Sequence, residues 1–209
     1  MNEENKRALD ALRGKIGAYM SGKRFLHTLA VEAEIEKLAA IYAPEREYML
    51  HAAALLHDIT KELPITKQLQ LCDEFGIIYT DEECCTPKIF HSRTAPAVIE
   101  RDFPEFATDE LLSAVRWHTT GHSDMTLTEQ LLFLADYIED TRTFPSCVEL
   151  REFFWNGIYN ADDKQAHLND TMILALDMTV RELCEDKQPI HLDTVAARNS
   201  FIMKGRLKK

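Results

Sequence analysis

Residues 53–64 read AALLHDITKELP, with four apolar residues running straight into His57 and Asp58 and apolar Ile59 behind them. The longer stretch 47–61 is too apolar for a helix with one buried face, so it is expected at the centre of the molecule. Pro64 disfavours helix at the residue before it, which sets the latest end of this helix near Glu62. An ionised aspartate in such a place needs a cation, a metal or several hydrogen bonds, because burying it alone is costly.

The same anomaly recurs on either side. His27 lies inside FLHTLAV and Asp136 inside LFLADYI. Two carboxylates and two imidazoles in apolar helical runs are economically explained by one metal site. Their mixed nitrogen and oxygen shell suits iron, manganese, zinc or a similar divalent ion. A lone histidine on an apolar face is ordinarily a hydrogen-bonded core residue, so the signal lies in the four positions together.

Apolar spacing is helical almost throughout. Residues 25–42 carry a broad stripe from Phe25 to Tyr42 that ends before Pro44. Helices are also predicted over 109–118, with Asp109 as cap or first-turn acid, over 126–140, and over 166–185. Thr126 and Glu129 form a capping-box pattern. Alternation of period two is nearly absent; FGIIYT (75–80) is the one short stretch that reads as extended. Gly and Pro number only seven each, so no linker stands out. The prediction is one all-α domain over 1–209 with its core at about 20–185 and a solvated basic tail, KGRLKK, at 204–209.

With 209 residues, 45% hydrophobic and 28% charged, the chain has the composition of a globular domain able to bury a core. No run is long and apolar enough to span a bilayer, and the charged N-terminus lacks a signal-peptide pattern, which predicts a cytoplasmic protein without membrane partners. Five cysteines, none spaced CxxC, indicate neither a disulfide framework nor a cysteine zinc site. The net charge of −11 argues against binding long nucleic acid. It leaves open a small polyanion, since a cation and a few basic side chains can reverse the field inside one cleft.

Six segments together resemble a known family: RFLHTLAV (24–31), AALLHDITKELP (53–64), FHS (90–92), AVRWHTTGHSDMTLTEQLLFLADYIEDTR (114–142), NDTMILAL (169–176) and KQPIHLDTVAARN (187–199). The order His27, His57-Asp58, Asp136 resembles the HD-domain superfamily. The wording WHTTG, MTLTE and LADYIE is similar to its YqeK-type symmetrical bis(5'-nucleosyl)-tetraphosphatases of bacteria. This resemblance implies a single HD-domain helical bundle around a central metal, iron first among the candidates. It also implies cleavage of diadenosine tetraphosphate and related dinucleoside polyphosphates to two ADP by hydroxide held on that metal, with an ADP- or GDP-like product able to co-purify. It places the metal on His27, His57, Asp58 and Asp136, and the nucleotide phosphates beside Lys61, His91, His118, Thr119 and Arg142.

The residues themselves support part of this. Lys61 follows His57 by four positions and projects beside the metal if the helix persists that far; Arg142 lies six past Asp136, beyond the expected helix end. Arg24, three before His27, is on nearly the same helical face. Asp58 or Asp136 is the expected acceptor of a proton from the attacking water, and His118 a further catalytic candidate, as a phosphate donor or an acid. The order His27, His57-Asp58, His91, His118, Asp136 also fits two metals, so one ion and two both stay open. His51, His122, His167 and His191 read as structural, with His122 close enough to His118 to check. Another nucleotide substrate and a catalytically weak nucleotide sensor are the competing readings, and the sequence is compatible with a homodimer.

Overall fold

The computed structural model describes residues 1–207, all of whose regular elements are helical. The helices are α1 (Glu3–Ile16), α2 (Gly22–Tyr42), α3 (Glu47–Leu56), α4 (Ile65–Phe75), α5 (Asp81–Cys84), α6 (Phe90–Asp102), α7 (Asp109–Trp117), α8 (Leu127–Ile138), α9 (Pro145–Ile158), α10 (Lys164–Glu185) and α11 (Leu192–Leu207). Helix α3 is the axis: Leu50 to Leu56 are all buried, and α1, α2, α7 and α8 pack around it. Its sequence is apolar on every side because every side meets another helix.

Helix α3 ends sooner than Pro64 requires. The last α-helical residue is Leu56, and residues 57–63 continue as tight turns, with the amide N–H groups of Ile59, Lys61 and Leu63 donating to the carbonyls of Leu56, Asp58 and Thr60. These turns are bolted down by a buried polar net. Thr60 Oγ1 donates to the His91 carbonyl at 3.0 Å, and Gln68 Nε2 donates to the Thr60 carbonyl while its Oε1 accepts from Thr94 Oγ1. His57 and Asp58 are therefore delivered from a rigid corner.

The other predicted helices are present with small shifts at their ends. Thr108, not Asp109, caps α7, its hydroxyl accepting from the Leu111 N–H; Asp109 is a first-turn acid. The capping box of Thr126 and Glu129 is formed as read. FGIIYT forms no strand: Phe75 ends α4, Gly76 turns the chain at φ +66°, and residues 77–80 are irregular. The buried apolar cluster is wider than 20–185, since Leu9, Leu12 and Ile16 of α1 and Ala197 and Phe201 of α11 belong to it. Helix α11 also takes in 204–207, where Lys204 pairs with Asp124 at 3.2 Å, so that part of the tail is ordered helix; residues 208–209 lie outside the described residues. No helix among the described residues is long and apolar enough to cross a membrane.

The glycine of WHTTG has a plain physical reason. Gly121 adopts φ +63°, and a Cβ there would stand 3.1 Å from both Ala197 Cβ and Met125 Sδ. Helix α11 thus closes directly over the turn that follows His118. Gly121→Ala is expected to cost about 1–2 kcal/mol, the price of a left-handed conformation for an L-residue. Gly14→Ala, with nothing within 4 Å, should leave the melting temperature level or slightly higher. Equal melting temperatures for Gly121→Ala and the parent chain in thermal unfolding would contradict this account of the turn.

Candidate metal centre

Four histidines and two aspartates meet where α2, the turn after α3, α6, α7 and α8 converge. His27 comes from α2, His57 and Asp58 from the corner, His91 from the first turn of α6, His118 from the end of α7 and Asp136 from the last turn of α8. Each histidine has its Nδ1 side fixed by an oxygen. Nδ1 of His57, His91 and His118 faces the carbonyls of Ala54, Lys88 and Val115 at 2.6–2.7 Å, and His27 Nδ1 faces Glu139 Oε1 at 3.1 Å. An Nδ1–H that donates outward leaves Nε2 with its lone pair turned inward. All four rings therefore present the same atom to one space.

Inside that space His27 Nε2 lies 3.0 Å from Asp136 Oδ1 and 3.7 Å from Asp58 Oδ2. His57 Nε2 lies 3.4 Å from Asp58 Oδ2 and 3.8 Å from Asp136 Oδ1. Metal bonds of about 2.0–2.2 Å put neighbouring ligand atoms roughly 3–3.5 Å apart, so the spacing is that of a coordination shell. His57 Nε2 is fully buried without a hydrogen-bond partner, which a protein tolerates where a cation completes the set. Compact ligand groups form from His27, His57 and Asp136 and from His57, Asp58 and His118. The residues present fit a divalent cation.

Electrostatics point the same way. Burial opposes ionisation of Asp58, yet His57 and Lys61 hold its carboxyl well below the usual range; Arg142 and His27 do the same for Asp136. Burial drives His91 down to about 3, helped by Lys61, and lowers His118 as well. Burial thus favours the neutral imidazole at both positions. His27 goes the other way: burial is outweighed by hydrogen bonds to Asp136 and Glu139, which push it up to about 9. Without a metal a proton takes the place between His27 and Asp136.

The phosphate candidates stand at the same opening. Lys61 Nζ is 3.1 Å from His91 Nε2, although the helix does not persist to Lys61; the turns carry it there instead. Thr119 Oγ1 lies 3.2 Å from His91 Nε2 and 3.1 Å from His118 Nε2. Arg142 Nη2 donates to Asp136 Oδ1. Arg24, only a marginal candidate from its spacing, donates to Asp58 Oδ2 at 2.8 Å. His122 points away, pairing with Glu129 at 3.0 Å and packing tilted against the Trp117 ring. His51 pairs with Glu32, His167 faces the Phe154 carbonyl and His191 pairs with Glu83.

Two residues escaped sequence reasoning. Glu139, which ends α8 as its C-cap, is fully buried and orients His27; its place three residues after Asp136 was the available signal. Arg151 of α9 donates to the carbonyls of Ile138, Glu139 and Arg142, tying down the loop that carries Arg142. Nothing local in the sequence marks that contact.

The sequence profile of the HD domain matches residues 24–140, a span that opens just before His27 and closes just after Asp136. The chain belongs to the HD-domain family. Among curated members, it is 28% identical over 203 residues to the symmetrical bis(5'-nucleosyl)-tetraphosphatase of Halalkalibacterium halodurans, covering 93% of this chain and 99% of that one. To the symmetrical bis(5'-nucleosyl)-tetraphosphatase of Staphylococcus aureus it is 30% identical over 179 residues, covering 86% and 87%. Its fold matches the crystal structure of a predicted HD superfamily hydrolase involved in NAD metabolism from Clostridium acetobutylicum. That match has a TM-score of 0.81 and 27% identity, and covers 93% of this chain and 97% of that one. The HD core thus spans α2 to α8, and α9 to α11 close over it.

If an ion displaces the His27 proton, divalent-cation affinity must rise with pH and level off above about 9, with proton release on binding at neutral pH. Calorimetry in buffers of different ionisation enthalpy counts that proton. Affinity independent of pH below 9 would place the ion away from His27.

Proposed function

We propose that this HD domain is a symmetrical bis(5'-nucleosyl)-tetraphosphatase, a metal-dependent phosphohydrolase that splits diadenosine tetraphosphate and related dinucleoside polyphosphates into two nucleoside diphosphates. The observation that carries the reading is the cluster itself: inward-facing histidine nitrogens and two ionised carboxylates, ringed by Lys61, Arg142 and Thr119. Likeness to two curated enzymes of that name over most of the chain supports the substrate.

In this reading His27, His57, Asp58 and Asp136 hold one divalent ion, iron before manganese or zinc. When bound, such an ion lowers the pKa of water from about 15.7 towards ~7 and polarises a phosphoryl oxygen. The protein residues do the rest. Lys61, Arg142 and the Thr119 hydroxyl offset charge on the phosphate oxygens, with neutral His91 and His118 at the same wall. A water oxygen adds to the second phosphorus of one half and its proton passes to Asp58 or Asp136. The bond from that phosphorus to the bridging oxygen then breaks, and the other half leaves as ADP. A diphosphate is a stable anion, so its departure needs charge compensation more than a proton donor.

One ion, not two, is favoured by Lys61. A second metal would sit among Asp58 Oδ1, His91 Nε2 and His118 Nε2, which lie 3.0–3.5 Å from one another. The Lys61 ammonium already stands 3.1 Å from His91 Nε2 and supplies the positive charge there. The NAD metabolism named for the Clostridium acetobutylicum hydrolase supports a second reading, a dinucleotide joined through two phosphates.

Assays on diadenosine tetraphosphate and NAD separate the two readings. Reaction in heavy-oxygen water should yield ADP alone, labelled on the terminal phosphate of one of the two molecules formed. AMP plus ATP as first products would show that a different phosphorus is attacked, and cleavage of NAD alone would shift the substrate class. Alanine at His27, His57, Asp58 or Asp136 should strip metal and nearly abolish turnover. Lys61→Ala and Arg142→Ala should keep the metal and lose roughly ten- to hundred-fold in kcat/KM, as for loss of one hydrogen bond to a charged group. Full metal retention in all four ligand variants, or unchanged kinetics in both cation variants, would contradict these roles.

A further inference from the structure

Two clefts open onto the cluster, and only one of them is needed for a single nucleotide half. The first, about 520 Å³, runs from Lys61, His118 and Asp136 towards Thr179 and Glu182 of α10. The second, about 660 Å³, opens on the other flank beside His27, between the start of α2 and the loop after α8. Arg142 and Phe144 belong to the walls of both. The ligand residues thus stand at the junction of two cavities, each large enough for a nucleotide-sized group.

The second cleft has the chemistry of a nucleoside diphosphate site. Lys23 and Arg24 line it, and the two carboxylates in the same wall are already engaged: Glu62 by the N–H and hydroxyl of Ser21, Glu139 by His27 and Thr141. Its rim carries Leu26 and Phe144, large apolar side chains 65% and 66% exposed. Lys23, Leu26 and His27 stand at i, i+3 and i+4 of α2, so cation, apolar surface and ligand share one helical face. The Phe144 ring offers a face on which any base can stack, Leu26 adds apolar surface beside it, and the Lys23 ammonium suits a phosphate.

We infer that this second cleft seats the departing half of the dinucleotide, its phosphates against Lys23 and its base against Leu26 and Phe144, while the first cleft keeps the other half. The inference rests on the proposed tetraphosphatase reading and extends it. Both halves are gripped, one on each side of the scissile bond, and substrate preference then depends on residues outside the metal centre.

The test is steady-state kinetics with diadenosine tetraphosphate, alongside metal content, for the metal-loaded parent enzyme and the surface double variant Lys23→Ala, Leu26→Ser. The expected result is a fall of about ten-fold in kcat/KM for the dinucleotide, the scale of one lost charged contact and one lost apolar contact, with the metal content unchanged. Unchanged kcat/KM, or a fall accounted for entirely by lost metal, overturns the second cleft while leaving the activity standing. A parent enzyme that leaves the dinucleotide intact overturns the activity itself, and the two-cleft assignment with it.

Discussion

Two aspartates ionised inside a helical core are the constraint on which the rest of the structure depends. Asp58 is buried on the corner that ends the most apolar helix, and Asp136 sits in the last turn of α8 among buried leucines. Neither charge is stable there without cations, and Arg24, Lys61 and Arg142 all turn inward to meet them. Side-chain tautomers follow from the same demand. Backbone carbonyls and Glu139 take the outward nitrogens of four histidines, so four lone pairs are left facing inward. Such a concentration of acceptors calls for a positive ion, and the helices are arranged to hold it still: α3 stops early, the Thr60–Gln68–Thr94 net fixes the corner, and Arg151 ties down the loop of Arg142.

The chain as a whole is acidic, at −11, yet the opening to the centre carries Lys23, Arg24, Lys61 and Arg142. Bulk charge keeps long polyanions away, whereas a local group of cations with low-dielectric walls attracts a short one. This separation of scales lets the sign of the field in one cleft differ from that of the whole molecule.

Much of this was legible from residue order. Polar residues inside apolar helical runs marked His27, His57, Asp58 and Asp136, and the helical period located α2, α3, α7, α8 and α10. What the sequence hid is non-local. The end of α3 at Leu56 depends on hydrogen bonds from α4 and α6 to the Thr60 region, which no helix-propensity argument contains. Glu139 faces His27 only because α8 and α2 pack side by side, a contact between residues 112 positions apart. Helices α1 and α11 bury residues outside the expected core because they cap faces of the bundle whose exposure cannot be read from local pattern. Lys61 reached its place by a turn, not by the helical spacing first assigned to it.

The central claim is that one ion sits among His27, His57, Asp58 and Asp136, with the Lys61 ammonium standing where a second would go. Anomalous diffraction from crystals of the metal-loaded protein, collected at the absorption edge of the bound element, tests it most directly. The account predicts a single peak bonded to those four side chains, with Lys61 still beside His91. A second peak between His91 and His118 with Lys61 displaced, or a single peak elsewhere, would contradict it.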